Sequence, residues 1–150
     1  MKKENYMNAI TQGVYILGVK DNTKINFMTA AWLTQISSRP NKILVAVAKS
    51  HLTADLIHNA GKFAVNILAD GQEVLAKKCG SFSGREFDKS IGVDYEMING
   101  TPAINGTAGY LHCELTSEIE DTDHVLFLAE VKDGEKYQKL SLRYDESYYF

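Results

Sequence analysis

Proline and cysteine are scarce in this chain of 150 residues, at two each, and tryptophan occurs once. Cys79 and Cys113 stand far apart, with no C-x-x-C pair and no histidine at ligand spacing. That excludes a zinc motif and a disulfide scaffold, and leaves two idle thiols of a reducing compartment. No window reaches the ~18 apolar residues of a membrane span, and the opening Met1-Lys2-Lys3-Glu4-Asn5-Tyr6 is polar where an export signal needs an apolar run. The expectation is a cytoplasmic protein with no membrane partner. A net charge of −3 lacks the positive excess that nucleic acid would require. Also missing are a G-x-S-x-G nucleophile elbow, a Walker A motif and a G-x-G-x-x-G after the first apolar run, so three common enzyme classes lose their support.

What is present describes one globular domain, residues 1–150, since 45% hydrophobic and 23% charged residues lie near the globular average. Eleven glycines against two prolines suggest tight turns, and eight tyrosines with six phenylalanines lean toward strands. Residues 1–75 hold eight Lys/Arg against five Asp/Glu, whereas residues 76–150 hold eight against fourteen. Positive charge for an anionic ligand therefore falls in the first half. Residues 114–135 carry eight carboxylates and Lys132 alone in return, the mark of a solvated sheet face with hairpin ends.

Along the chain, residues 3–12 suit a short helix stopped by Gly13, and residues 14–19 and 25–34 suit strands joined by the turn Asp21-Asn22-Thr23. Residues 43–48 are an unbroken apolar run and residues 63–68 one interrupted by Asn66 alone, both suited to strands buried on both faces. Between them Leu52, Leu56, Ile57 and Ala60 fall at helical spacing, with Ser50 as candidate N-cap and Gly61 as the stop. A second short helix covers 73–78, closed by Gly80, and the polar stretch 81–94 reads as a long surface loop. Asn99-Gly100 and Asn105-Gly106 are read as turns, and residues 109–118, 124–131 and 137–144 as strands. Six or seven strands without regular β-α alternation predict a mainly β fold, an antiparallel barrel with short helical insertions.

Three segments have the makings of a binding surface. Met28-Thr29-Ala30-Ala31-Trp32 sets small residues between large ones, which admits a flat group to the backbone but equally describes a barrel wall. Lys49-Ser50-His51-Leu52-Thr53 puts hydroxyls and a cation at a helix start, fit for a phosphate or for plain capping. Ser81-Phe82-Ser83-Gly84-Arg85-Glu86-Phe87-Asp88-Lys89 places two cations around a Ser-Gly turn, an anion site or a solvated loop.

In this order and with this spacing, together with Gly13-Val14-Tyr15-Ile16-Leu17, Leu44-Val45-Ala46-Val47-Ala48, Phe63-Ala64-Val65-Asn66-Ile67-Leu68 and Asp123-His124-Val125-Leu126-Phe127, the segments resemble the flavin reductase-like family of FMN-binding split barrels. The resemblance implies a homodimeric Greek-key split barrel that holds FMN near the subunit interface and passes hydride from NAD(P)H to flavin, with FAD or riboflavin as alternative flavin substrates. By the same resemblance Thr29, Ala30, Ala31 and Trp32 line the flavin ring, Ser37 is a further flavin contact, and Lys49, Ser50 and Thr53 take the phosphate. Ser83, Arg85 and Lys89 contribute from the long loop, and His124 lies beside the nicotinamide or flavin ring as the catalytic residue. Phe27 stands where the family usually has glycine and Ala31 where it has serine, which removes one hydroxyl from the ring site. Two other readings stay open: an FMN-bearing electron carrier serving a separate acceptor protein, and a non-enzymatic split-barrel binding module.

Overall fold

The computed structural model describes residues 5–22, 24–81 and 83–145. Nine strands are present in them: β1 (Tyr15–Asp21), β2 (Lys24–Ala30), β3 (Leu33–Ser38), β4 (Asn41–Ala48), β5 (Lys62–Ile67), β6 (Tyr95–Ile98), β7 (Thr101–Ile104), β8 (Gly109–Ile119) and β9 (His124–Lys136). Helix α1 (Leu52–Ala60) joins β4 to β5, and α2 (Glu73–Gly80) follows β5. Seven strands form one antiparallel sheet in the order β2-β1-β5-β8-β9-β4-β3, and β6 and β7 form a separate hairpin.

The two edge strands of that sheet, β2 and β3, are consecutive in the chain and separated by residues 31–32 alone. So short a link spans less than about 11 Å, which obliges the sheet to curl until its edges approach. The result is a barrel split along one seam, with Trp32 at the seam bonded across to β4 through its carbonyl, which accepts from the Ala46 N–H at 3.0 Å. Residues 25–34, expected as one strand, are thus two strand ends broken at the seam.

The barrel interior is filled by Leu17, Val19, Val45, Val47, Phe63, Val65 and Phe127, and α1 packs onto it through Leu56 and Ile57. Gly61 ends α1 in the left-handed region (φ 72°), its N–H donating to the Ile57 carbonyl, as glycine at a helix stop should. A second core lies outside the barrel under α2, where Ile16, Phe27, Leu68, Ala76 and Cys79 meet. Phe27 belongs to this outer layer, edge-on to Tyr95 at 5.3 Å, and its bulk therefore does not intrude on the seam. The β6–β7 hairpin turns at Asn99 (φ 55°) and Gly100 (φ 79°), the pair of left-handed residues that a two-residue hairpin favours. Buried Asn66 fastens it to the sheet, donating to the carbonyls of Ile16 and Pro102 and accepting from the Ile104 N–H.

Several expectations change. Residues 3–12 give only a 3-10 turn, Tyr6–Ala9, because none of its side chains is buried and a short helix without packing does not hold; residues 1–4 lie outside those described. Strand β4 alternates instead of being buried on both faces, since it neighbours the edge strand β3 and nothing covers its outer side, while β5 is buried on both as expected. Residues 137–144 make no strand. They are tied to the sheet margin by bridges Ser141 to Ala69 and Arg143 to Gly13 and by the Tyr137 N–H donating to the Ala108 carbonyl, and Leu142 plugs the outer core. Strands β3, β6 and β7 went unread in the sequence. Cys79 and Cys113 are free and buried.

Candidate functional site

Two adjoining cavities follow the seam. One, of about 180 Å³, is walled by residues 28–32 and by Ala46, Ala48, His51, His124 and Tyr144. The other, of about 250 Å³, is walled by His51, Thr53, Cys79, Ser81, Ser83 and Lys89, among others. Met28, Thr29 and His51 belong to both, so they form one groove. Beyond Trp32 and Tyr144 it opens into a wider cleft of about 700 Å³.

The sheet break supplies the first end. In an unbroken strand the N–H groups of Ala31 and Trp32 would be paired, but here neither has an acceptor among the described residues. A flat ligand with carbonyl or imine acceptors on its edge would satisfy both. Small side chains at Ala30, Ala31, Ala46 and Ala48 leave room for it. Trp32 is 53% exposed and lies tilted against the His124 ring at 4.6 Å between centroids. The His124 Nδ1 pairs with the Asp123 carboxylate at 2.8 Å, and that hydrogen bond holds the Asp123 carboxyl below its usual range. With Nδ1 so engaged, Nε2 is the ring nitrogen left for a ligand.

The other end is built for an anion. No acidic residue lines it among the described residues, and Lys89, 5% exposed, brings an ammonium that donates to the Cys79 carbonyl at 3.1 Å. Burial lowers the Lys89 pKa. Thr53, 1% exposed near the start of α1, lines the cavity, as does Ser83, whose Oγ accepts from the Arg85 N–H. Cys79 is pushed up to about 11 by burial, so it is a thiol at neutral pH and no nucleophile.

Of the residues picked out in the sequence, the groove gathers Thr29, Ala30, Ala31, Trp32, Thr53, Ser83, Lys89 and His124. Thr29 contributes backbone only, since its hydroxyl donates to the Ala76 carbonyl at 2.6 Å and anchors α2. The remaining four lie outside its walls. Lys49 donates to the Glu120 carbonyl, bracing the β8–β9 hairpin. Ser50 is not the cap of α1, a place held by His51, and its carbonyl accepts from the Arg85 Nε. Arg85 itself pairs with Asp55 at 2.6 Å on the surface. Ser37 sits at the distal end of β3 opposite Lys42.

His51 was missed, although a histidine at a predicted helix start was a usable signal. Its Nδ1 lies 3.0 Å from the Met28 sulfur, and because a thioether has no proton to give, Nδ1 carries the hydrogen and Nε2 is a bare acceptor. Burial, and then the charges of Lys89, His124 and Arg85, lower the His51 pKa. Gly84 was part of a motif but its reason was invisible: a Cβ there would stand 2.3 Å from Asn26 Oδ1 and 3.2 Å from Leu52. Gly84→Ala is expected to cost about 1–3 kcal/mol of stability, read as a lower urea midpoint, because backbone and two packed side chains must give way. An unchanged midpoint would mean the loop shifts freely.

The seam and the acid-free groove define the class, a split antiparallel β-barrel with a two-ended ligand groove. The chain belongs to the flavin reductase-like family, matching the Flavin reductase like domain over residues 7–149. It is 32% identical over 133 residues to the high molecular weight rubredoxin of Moorella thermoacetica, covering 85% of this chain and 57% of that one. It also matches longer diflavin flavoproteins, of whose length it spans 23%. Among solved structures, the FMN-binding protein of Thermus thermophilus with bound p-hydroxybenzaldehyde superposes with a TM-score of 0.88 at 25% identity, over 96% of this chain and 87% of that one. The NADH:FAD oxidoreductase SgcE6 of Streptomyces globisporus C-1027 gives 0.85 at 26%, over 91% and 82%. No group of three or more metal-ligating side chains occurs among the described residues, and no described helix is long and apolar enough to cross a membrane.

Proposed function

We propose that this domain binds FMN along the seam groove and catalyses hydride transfer from NAD(P)H to flavin. The observation that carries the reading is the polarity of the groove: unpaired backbone donors and aromatic rings at one end, a buried ammonium and hydroxyls without any acid at the other. A flavin mononucleotide has the matching sequence of parts, an acceptor-edged ring, a hydroxylated chain and a phosphate.

When bound, FMN supplies the hydride-accepting ring, so the protein needs no nucleophile. The Ala31 and Trp32 N–H groups would hold the ring edge, where fixed donors favour negative charge. Thr53, Lys89 and Ser83 would hold the phosphate, and His51 Nε2 would accept from the connecting chain. His124, fixed in plane by Asp123 and covered by Trp32, positions the nicotinamide at the open face. The exposed Trp32 at the rim supports a homodimer in which a neighbour closes the groove, and a cytoplasmic setting agrees with two free thiols.

The test is a fluorescence titration with FMN, FAD and riboflavin followed by NADH and NADPH oxidation assays. Binding of FMN with catalytic reduction of flavin is expected; a protein that binds no flavin overturns the reading. The match to only part of several diflavin flavoproteins favours a second reading, an electron carrier for a separate acceptor protein. Tightly retained FMN with negligible turnover of added flavin would favour it.

A further inference from the structure

Thr53 is 1% exposed, lines the phosphate end of the groove, and its hydroxyl takes part in one hydrogen bond among the described residues. In that bond the Asn26 Nδ2 donates to Thr53 Oγ1 at 2.7 Å. A hydroxyl has a single proton, and here an amide that can only donate at this atom occupies one of its two lone pairs. The Thr53 proton is left over, buried and without an acceptor among the described residues. Asn26 is itself 1% exposed on β2, and its other side-chain atom, Oδ1, is pressed against Gly84, whose carbonyl accepts from the Lys24 Nζ at 3.1 Å. One side chain thus touches both the start of α1 and the loop that carries Ser83 and Lys89.

We infer that Asn26 is a positioning residue that sets the hydrogen-bond polarity of this end of the groove, forcing Thr53 to donate to the ligand and so selecting a flavin that ends in a phosphate over one that ends in a hydroxyl. The inference rests on the FMN reading above. With Thr53 and Lys89 both presenting protons and no carboxylate among the described residues that line this end, a dianionic acceptor satisfies both donors at once. A terminal hydroxyl has only a weak, uncharged acceptor to offer. Asn26 never touches the ligand in this account. It acts through Thr53.

The decisive variant is Asn26→Asp, which keeps the shape, loses the donor, draws the Thr53 proton toward itself and adds a negative charge. FMN affinity is expected to fall about tenfold or more while riboflavin affinity changes less than about twofold. Thr53→Val should erase the same preference. In the double variant Asn26→Ala with Thr53→Val, which adds no charge, the losses should not add, because both changes act on one proton in one place. If Asn26→Asp fails to fold by circular dichroism, Asn26→Ala adds no charge and should show the same selective loss at about threefold, with the freed hydroxyl able to turn either way. FMN and riboflavin weakening alike, or additive losses in the double variant, would overturn the inference and leave the FMN reading intact. A parent protein that binds both flavins equally would overturn the phosphate assignment itself.

Discussion

Lys89→Met is expected to raise the melting temperature of the flavin-free protein and to lower its affinity for FMN by about 100-fold, equivalent to about 2.7 kcal/mol. Both effects have one origin. The Lys89 ammonium is buried at 5% exposure with one carbonyl as its partner, and that burial lowers its pKa. Because the folded pKa lies below the unfolded one, the unfolded chain binds more protons between the two values, and stability of the free protein rises with pH across that window. Below it the buried charge opposes folding in full. Methionine keeps the length and removes the charge, so the free protein gains while the phosphate loses its counter-ion. For the same reason FMN should raise the melting temperature of the parent more than riboflavin does, and Lys89→Met should abolish that difference. A variant whose free form melts lower, or which loses both flavins equally, would show that Lys89 serves packing and not the anion.

His124→Ala should separate turnover from binding. Its ring is held by the Asp123 carboxylate on one nitrogen and by Trp32 across its face, at the open side of the groove and away from the phosphate end. Loss of a group that orients the nicotinamide is expected to lower kcat/KM for NAD(P)H about 100-fold, since misplacing a reacting atom by about 1 Å has effects of that size. The dissociation constant for FMN should stay within about threefold, a margin worth under 1 kcal/mol. Asp123→Asn should give a smaller loss of the same kind, because the ring then loses its orienting charge but not its stacking. Steady-state kinetics beside flavin titrations check the split. Equal losses in turnover and FMN affinity would return His124 to a structural role at the start of β9.

The parts legible in the sequence were those specified by neighbours along the chain. Helix α1 and its stop at Gly61 followed from spacing and a glycine that could adopt a left-handed φ, and the Asn99-Gly100 turn followed from the residues that hairpin geometry tolerates. Strand β5 declared itself by an apolar run buried on both faces. Strands β6 and β7 were lost in a polar neighbourhood because they are four residues each and are fastened to the sheet by Asn66, far away in sequence. Family resemblance offered the candidate site residues as a set, yet it could not separate Thr53, in the groove wall, from Ser50, or Lys89 from Lys49 and Arg85. Those pairs differ in nothing local.

The scarcity of cysteine and proline, the apolar runs and the turn residues determined by themselves a mainly β protein with no disulfide scaffold, because such features act over a few bonds. Which cations face the groove was decided only by the tertiary structure. Lys49 is drawn to the Glu120 carbonyl and Arg85 to Asp55, while Lys89 is folded inward against Cys79. The seam likewise exists only in three dimensions. Residues 31–32 are an ordinary dipeptide until the curled sheet brings its two edges together and leaves their N–H groups without partners. A charge or a donor becomes a binding group when folding withholds its alternatives, and that depends on contacts between segments that the linear order keeps apart.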